Sequence, residues 1–506
     1  MNLRDPEFHN EHARRLWESG QHDEAIRSWR EALSSNPDSV EALTSLAWAL
    51  GQQETVEEAA SLARRAVELS PDDAAAHRVL GELLFLQGRY QEAADHYLAG
   101  LTRNQDGHLL LTACLRRDLG DAYYMLGRFE EAEREYGAAL ACGGDQPYCH
   151  LWLGWAKQQL GDPRGAMSEF ERACDLAPEW HEAHYAAGQL NCALGSYERA
   201  RESLARSLSL YPPDDEEGRS AGTCELGNAY RGLGDLRQAV ELYKQALQLD
   251  PTHPVARFNL GLAYSEIGEY EAALAAFDVA AQLDPRDADV RVERGRACLD
   301  LGRHDEALEA YRAALEIQPG NAEAYSGLGL TYYALGIYDT SAEHYQSAVE
   351  SEPRDPWPRY NLGLALDAAG RHADADVAME QAWGLGQGDA DLCVVLARAL
   401  TSQGRNPDGA ARAARRACAL DPEDADAHDA LAMALFSAGD HGTALGPALE
   451  ATRLMPEAAE YHYDLGLVHE ARGDVLSARA SFRRAVELAP GFEEAQEALR
   501  KLEEAL

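Results

Sequence analysis

The chain has 506 residues, and 46 Lys+Arg against 86 Asp+Glu leave a formal charge of −40. That acidic excess excludes a basic nucleic-acid binder, while 46% hydrophobic and 8% aromatic residues exclude a disordered acidic tail. No stretch approaches the roughly 18 consecutive apolar residues of a membrane span. Nine cysteines without a Cys-x-x-Cys spacing, behind an N-terminus that shows no apolar leader, predict a reduced, cytoplasmic setting.

In chain order, a lead-in of residues 1–5 is followed by a repeat of period 34 that runs over residues 6–492. Fourteen units start at Pro6, Val40, Ala74, Ala113, Pro147, His181, Ser220, Pro254, Ala288, Ala322, Pro356, Ala390, Ala425 and Ala459. Two five-residue insertions, His108–Thr112 (108–112) and Asp215–Arg219 (215–219), and one extra residue near Asn406 interrupt the count. Residues 493–506 then place Ala495, Leu499, Leu502 and Leu506 on one face of an amphipathic helix, a cover for the last unit.

Fixed chemistry at fixed phases predicts two antiparallel helices in each unit. The eighth residue is always Gly or Ala (Gly81, Gly120, Gly295), and twelve residues on stands another small one (Ala93, Ala132, Ala307), as the crossing point of two close helices requires. Between them a glycine recurs in thirteen units, with Glu54 the exception, and suits a left-handed helix end. Eleven units close on a proline, which cannot continue the second helix; Gln105, Gly144 and Gln387 replace it in the others. Where the usual large residue of the second helix becomes Ala63, Ala414 or Ala448, looser packing is expected.

This order of Leu-Gly-x-x-Tyr, Gly, Ala, aromatic, Ala and Pro resembles the tetratricopeptide repeat (TPR). The resemblance implies an all-α, right-handed superhelical solenoid of about 14 stacked helix-turn-helix repeats, with a C-terminal capping helix and a concave groove lined by the first helix of each pair.

Once the repeats are assigned, no stretch is left to hold a catalytic domain, and no phosphate loop, nucleophile elbow or His-Glu-x-x-His helix occurs. The chain reads as no enzyme, with no catalytic residues, no cofactor and no metal. Histidine raises a metal question, since His181 and His184 stand three apart near Cys149 and His150. Phase answers it: His9, His77, His150, His184, His428 and His462 all occupy the fourth position of their units, where the family places a packing residue. The acidity reads first as solvated helix faces and turns, and second as steering toward a basic partner. Only three lysines occur, Lys157, Lys244 and Lys501.

The family's geometry implies a groove lined by the second, fifth, sixth, ninth, twelfth and thirteenth residues of each first helix. In the first half these include Trp17, Trp48, Phe85, Tyr124, Trp152, Trp155 and Tyr185; Met125 and Tyr148 join them. The middle supplies Phe258, Leu262, Leu330, Tyr333, Trp357, Tyr360 and Leu364, and the last units Met433, Phe436 and Tyr463. Such rings anchor peptide ligands or pack between neighbouring helices, with Trp48, Trp155 and Trp357 expected to be the most open. Asn228 and Asn259 match the amide part of a carboxylate clamp, yet Asp289 and Glu293 stand where its cations belong. Asn259 and Asn361 match a partial asparagine ladder of the kind that grips an extended backbone.

The function expected is a non-catalytic protein–protein interaction scaffold or adaptor that binds a partner protein or peptide, through an apolar or basic segment, in the concave groove. Two alternatives are a substrate-recruiting subunit whose catalytic chain is separate, and a chaperone-like carrier for apolar segments of assembling or secreted proteins. No nucleic acid and no direct membrane insertion are expected. The stretch Tyr211–Arg219, the most loop-like in the chain, reads as a tolerated surface insertion or as a hinge.

Overall fold

The computed structural model describes residues 6–53, 55–104 and 108–504; the lead-in, Glu54, Gln105 and Leu506 lie outside the described residues. Among the described residues every regular element is an α-helix. The chain divides into two compact units, residues 1–263 and 264–506. In the first unit the helices are α1 (Pro6–Glu18), α2 (His22–Ser35), α3 (Val40–Gly51), α4 (Val56–Leu69), α5 (Ala74–Leu86), α6 (Tyr90–Arg103) and α7 (Leu109–Met125). They continue with α8 (Phe129–Gly143), α9 (Pro147–Gln159), α10 (Pro163–Leu176), α11 (His181–Ala193), α12 (Tyr197–Leu210), α13 (Glu216–Gly232) and α14 (Leu236–Leu249). The division falls inside α15 (Pro254–Ile267).

The second unit continues with α16 (Tyr270–Leu283), α17 (Ala288–Asp300), α18 (His304–Ile317), α19 (Ala322–Ala334), α20 (Tyr338–Ser351), α21 (Trp357–Ala368) and α22 (His372–Gly386). It ends with α23 (Ala390–Gln403), α24 (Pro407–Leu420), α25 (Ala425–Ser437), α26 (His441–Leu454), α27 (Ala459–Ala471), α28 (Val475–Leu488) and α29 (Glu493–Glu504). Odd-numbered helices up to α27 are the first helices of the repeats. Except in α7, α13 and α21, each begins on the residue that the periodicity assigned to it.

Helix pairs close where the eighth residue has no side chain. A Cβ on Gly81 would stand 2.5 Å from the Tyr97 ring, and one on Gly120 2.7 Å from Tyr136. The same contact joins Gly154 to Phe170, Gly295 to Tyr311 and Gly466 to Phe482 at 2.4–2.7 Å, so each ring lies flat on bare backbone. Ser341, at the second small column, donates its hydroxyl to the carbonyl of Gly329, 2.7 Å away, and so marks the crossing directly. The expectation of loose packing at Ala63, Ala414 and Ala448 is corrected: they are 0–2% exposed. The eighth residue in those units is alanine (Ala47, Ala397, Ala432), and each pair shares one core cluster, so methyl groups fill what a ring fills elsewhere.

The turn glycines adopt left-handed backbone, as at Gly302 with φ +71°. Its N–H bonds to the Leu299 carbonyl, and that of Arg303 to the Cys298 carbonyl, both at 2.8 Å, which satisfies two carbonyls at the end of α17.

Four of the six fourth-position histidines act as polar clasps, and His77 and His150 are also buried packing residues. Nε2 of His77, His184, His428 and His462 lies 2.9–3.0 Å from the carbonyl of the proline six residues earlier: Pro71, Pro178, Pro422 and Pro456. A carbonyl only accepts, so Nε2–H donates. Arg257, Arg291 and Tyr325 make the same bond to Pro251, Pro285 and Pro319 at 3.2–3.4 Å. In α29, Gln496 bonds Pro490 at 2.6 Å, so the terminal helix enters as though it began another repeat. His150 has no such proline behind it and pairs through Nδ1 with Glu169 at 2.7 Å.

The insertions are helical. Both α7 and α13 have 17 residues, against 12 to 14 in the other first helices. Before α13 the Asp215 carboxylate accepts from the Gly218 N–H at 2.8 Å, Arg219 bonds the Pro213 carbonyl at 3.2 Å, and the Tyr211 ring lies 4.1 Å from that of His181. The loop expected at Tyr211–Arg219 is therefore shortened: residues 211–215 stay a bend and turn, and the Asp215 N-cap carries the last four residues into α13. At the C-terminal end α29 lays Leu499 and Leu502 over the cluster of Phe482, and Glu503 accepts from Arg479 and Arg483 at 3.0 and 3.1 Å.

His184→Ala is expected to lower local stability by about 1 kcal/mol, the value of one satisfied carbonyl, whereas His184→Gln retains it. Faster amide exchange around Pro178 in the alanine variant alone is the check. Nothing stands within 4 Å of a Cβ added at Gly302. Gly302→Ala therefore costs backbone strain alone, about 1–2 kcal/mol, readable as a lower thermal midpoint with unchanged helix content.

Candidate functional site: the face of the first helices

Within the first unit α3 touches α5, α5 touches α7, α7 touches α9 and α11 touches α13; within the second, α17 meets α19, and α21, α23, α25 and α27 meet in sequence. Second helices of successive repeats make no comparable contact among the described residues. First helices are thus the crowded side of each unit, and their outward residues form the candidate interaction face.

Twelfth-position rings are engaged at home. Trp17 lies 4.1 Å from His22, Phe85 5.1 Å from Tyr90, Tyr124 5.3 Å from Phe129 and Tyr333 5.2 Å from Tyr338, in every case the first residue of the repeat's own second helix. Each ring closes its turn edge-on, which leaves it half-buried. Trp48 rests against Trp17 at 5.2 Å, and Trp155 against Phe170 at 5.1 Å. Both are half-buried, unlike the openness expected of them. Trp152 is held between Tyr124 and Tyr148 at 5.1 and 6.1 Å, and Tyr185 packs beside the core of α12 and α13. Phe258 and Leu262 are half-buried on α15.

Trp357 is the open tryptophan, 37% exposed, with Nε1–H donating to Asp389 at 3.1 Å and Tyr360 perpendicular to it at 6.0 Å. Leu330, Met125 and Tyr148 are 49%, 47% and 36% exposed.

The asparagines separate. Asn259 is buried and donates to Asn228 Oδ1 at 2.8 Å, and the same oxygen accepts from the Tyr243 hydroxyl at 2.7 Å. The Asn228 amide donates to Glu225 at 3.0 Å. This pair spends its amides on itself, so its match to a carboxylate clamp is structural. Asn361, half-buried on α21, has no hydrogen-bond partner among the described residues. Glu293, where a clamp would carry a cation, is paired with Arg296 at 2.9 Å.

Two charged clusters on this face were not singled out from sequence. In the first unit the buried Asp118 accepts from Arg78 at 2.7 Å and from Arg117 at 2.6 Å. Beside it Asp121 accepts from the hydroxyls of Tyr136 and Tyr148 at 2.7 and 3.1 Å, and burial pushes its carboxyl up to about 6. In the second unit Asp429 of α25 and Asp464 of α27 hydrogen-bond to one another. Arg398 of α23 stands 3.7 Å from Asp429 and pairs with Asp426, which also accepts from the Tyr461 hydroxyl at 2.9 Å; Glu460 adds a further negative charge. Burial first and repulsion from Asp429 second raise the Asp464 carboxyl well above the usual carboxylate range, which favours a proton shared by the pair. Charge at adjacent fifth and sixth positions was the available signal; which carboxylate meets which arginine depends on the spacing of successive first helices.

A carboxyl raised in the fold above its unfolded value, 3.8, contributes stability that is complete below that value and is lost as pH climbs toward about 8. Asp464→Asn is therefore expected to match the parent chain most closely below about pH 4 and to gain on it in melting temperature as pH rises toward about 9. A melting difference that does not grow with pH contradicts the shared proton.

No curated protein matches the chain. Among solved structures, the crystal structure of the APC/C hetero-tetramer Cut9–Hcn1 overlaps 97% of this chain and 95% of that one at 15% identity and a TM-score of 0.44. Yeast Tom70 overlaps 78% and 95% at 16% identity and a TM-score of 0.43, and MamA overlaps 33% and 97% at 26% and 0.31. Family models carry the assignment. A tetratricopeptide repeat model matches residues 10–74, 46–108, 151–215, 394–454 and 443–491, more than half of the chain. Related models match residues 115–138 and 254–287 and, as TPR repeat, 227–268, 295–336 and 331–370. With the period, the glycine-on-ring crossings and these matches in agreement, the chain belongs to the tetratricopeptide repeat family.

Proposed function

We propose that the chain is a non-catalytic interaction scaffold that holds a partner protein by a segment laid along the face of its first helices, with residues 493–506 as a terminal cover. The observation that carries this reading is the set of apolar side chains left open on the first helices of each unit, Met125 and Tyr148 in the first and Leu330 and Trp357 in the second, 36–49% exposed while rooted in packed helices. Rigid, exposed anchors bind with little loss of side-chain freedom. Trp48, Trp152 and Trp155 support such anchors more than they serve as anchors, because neighbouring rings already cover them. No helix among the described residues is long and apolar enough to cross a membrane. All nine cysteines are unpaired, in keeping with a cytoplasmic setting.

Peptides selected from a displayed library on the full chain test the proposal. The selected sequences are expected to lose at least about tenfold in affinity against Trp357→Ala with Leu330→Ala, a loss typical of anchor residues, with helix content unchanged. Ligands indifferent to every substitution on the first helices, yet sensitive to ones on the second, overturn it.

A further inference from the structure

In the second unit, α17, α19 and α21 enclose a cavity of about 500 Å³. At the sixth position of α19 stands Gly327, where the next repeat carries Asn361 and the preceding one Glu293. A Cβ there would come within 2.3 Å of the Tyr311 ring, so the position is bare backbone over a buried aromatic floor. One wall is apolar, the half-exposed Leu330. The rim is acidic: Asp300 from α17, Glu323 from α19, and Glu352 and Asp355 from the turn before α21. Against these stands a single cation, Arg296, already paired with Glu293 at 2.9 Å and lying 3.8 Å from Glu323. Asn361 completes the lining, and its amide is not consumed by a neighbour as those of Asn228 and Asn259 are.

We infer that this cavity is a subsite for an arginine side chain carried on an extended segment of the partner, gripped by the rim carboxylates while Asn361 bonds the segment's main chain. Arginine fits better than lysine. Its stem lies along Leu330, and its planar fork offers five donors to carboxylates on several sides. An acidic or C-terminal carboxylate ligand meets repulsion from the same rim. The inference rests on the proposed interaction face and assigns one contact within it.

Calorimetry on the full chain at low and physiological salt, with capped pentapeptides Ala-Ala-X-Ala-Ala, tests the subsite. X is arginine, lysine, glutamate or citrulline, the neutral isostere of arginine. The arginine peptide is expected to bind at least about tenfold more tightly than the citrulline one, and more weakly as salt rises. Asp300→Asn with Glu323→Gln should remove about tenfold of that affinity, and Asn361→Ala should weaken it with arginine still preferred. Glu68→Gln with Glu316→Gln, an equal charge change on exposed second-helix positions, should leave it unchanged. No binding, equal affinity for citrulline, or equal loss in the control pair overturns the subsite. Library-selected ligands that still depend on Trp357 and Leu330 would leave the interaction face standing in that event; ligands indifferent to both sets of substitutions remove both.

Discussion

Everything in the two units depends on how closely a first helix approaches its own second helix. At the eighth residue of many repeats a glycine lets an aromatic ring, or at Gly188 and Gly363 the side chain of Leu204 or Met379, lie on the backbone, and the core is built outward from that contact. Any side chain there would collide with the ring within 3 Å, as at Gly81 and Gly154, so the glycine and the ring form one packing element. The three units that lack the large residue carry alanine at the eighth position and bury both partners fully. Volume is matched locally within a repeat. Because each repeat solves its own packing in this way, stacking adds units without changing the core, and the length of chain becomes length of surface.

The junctions use a second, polar rule. A proline closes eleven of the repeats and leaves its carbonyl without a helical partner. Among the described residues, at eight of these junctions a donor six residues on, whether histidine, arginine, tyrosine or glutamine, returns to bond it. The variety of side chains explains why the rule is hard to see as a sequence motif: the geometry asks for a donor of sufficient reach and is indifferent to its identity. His184 is one of these donors, its Nε2 committed to Pro178.

On the interaction face, large aromatics are fewer in effect than in number. A ring at the twelfth position is drawn to the first residue of the next helix, and a ring at the ninth to its neighbours, so both spend most of their surface on the fold. What remains open is a smaller set of apolar anchors, together with charged groups whose ionisation is set by burial. The acidic balance of the chain thus acts in two ways: dispersed carboxylates keep the outer surface solvated, while those gathered on first helices, at Asp429 with Asp464 and around Asn361, define places that favour positive charge.

The sequence by itself determined the repeat, its phase, the left-handed turns, the positions where helices cross and the helical cover at the C-terminal end, because each of these depends on residues within one 34-residue unit. Local chemistry suffices there: a glycine, a proline or a small residue acts on its own backbone or on a helix joined to it by a short turn. Only the tertiary structure decided which candidate residues are free. Asn228 and Asn259 are 31 residues apart, and Arg78 and Asp118 40 apart, and their pairing is set by the distance between first helices of successive repeats, which no single unit encodes. The segment before α13 shows the same limit: its prolines and acids read as one loop, yet the turn ends at the Asp215 cap and residues from Glu216 on are helix.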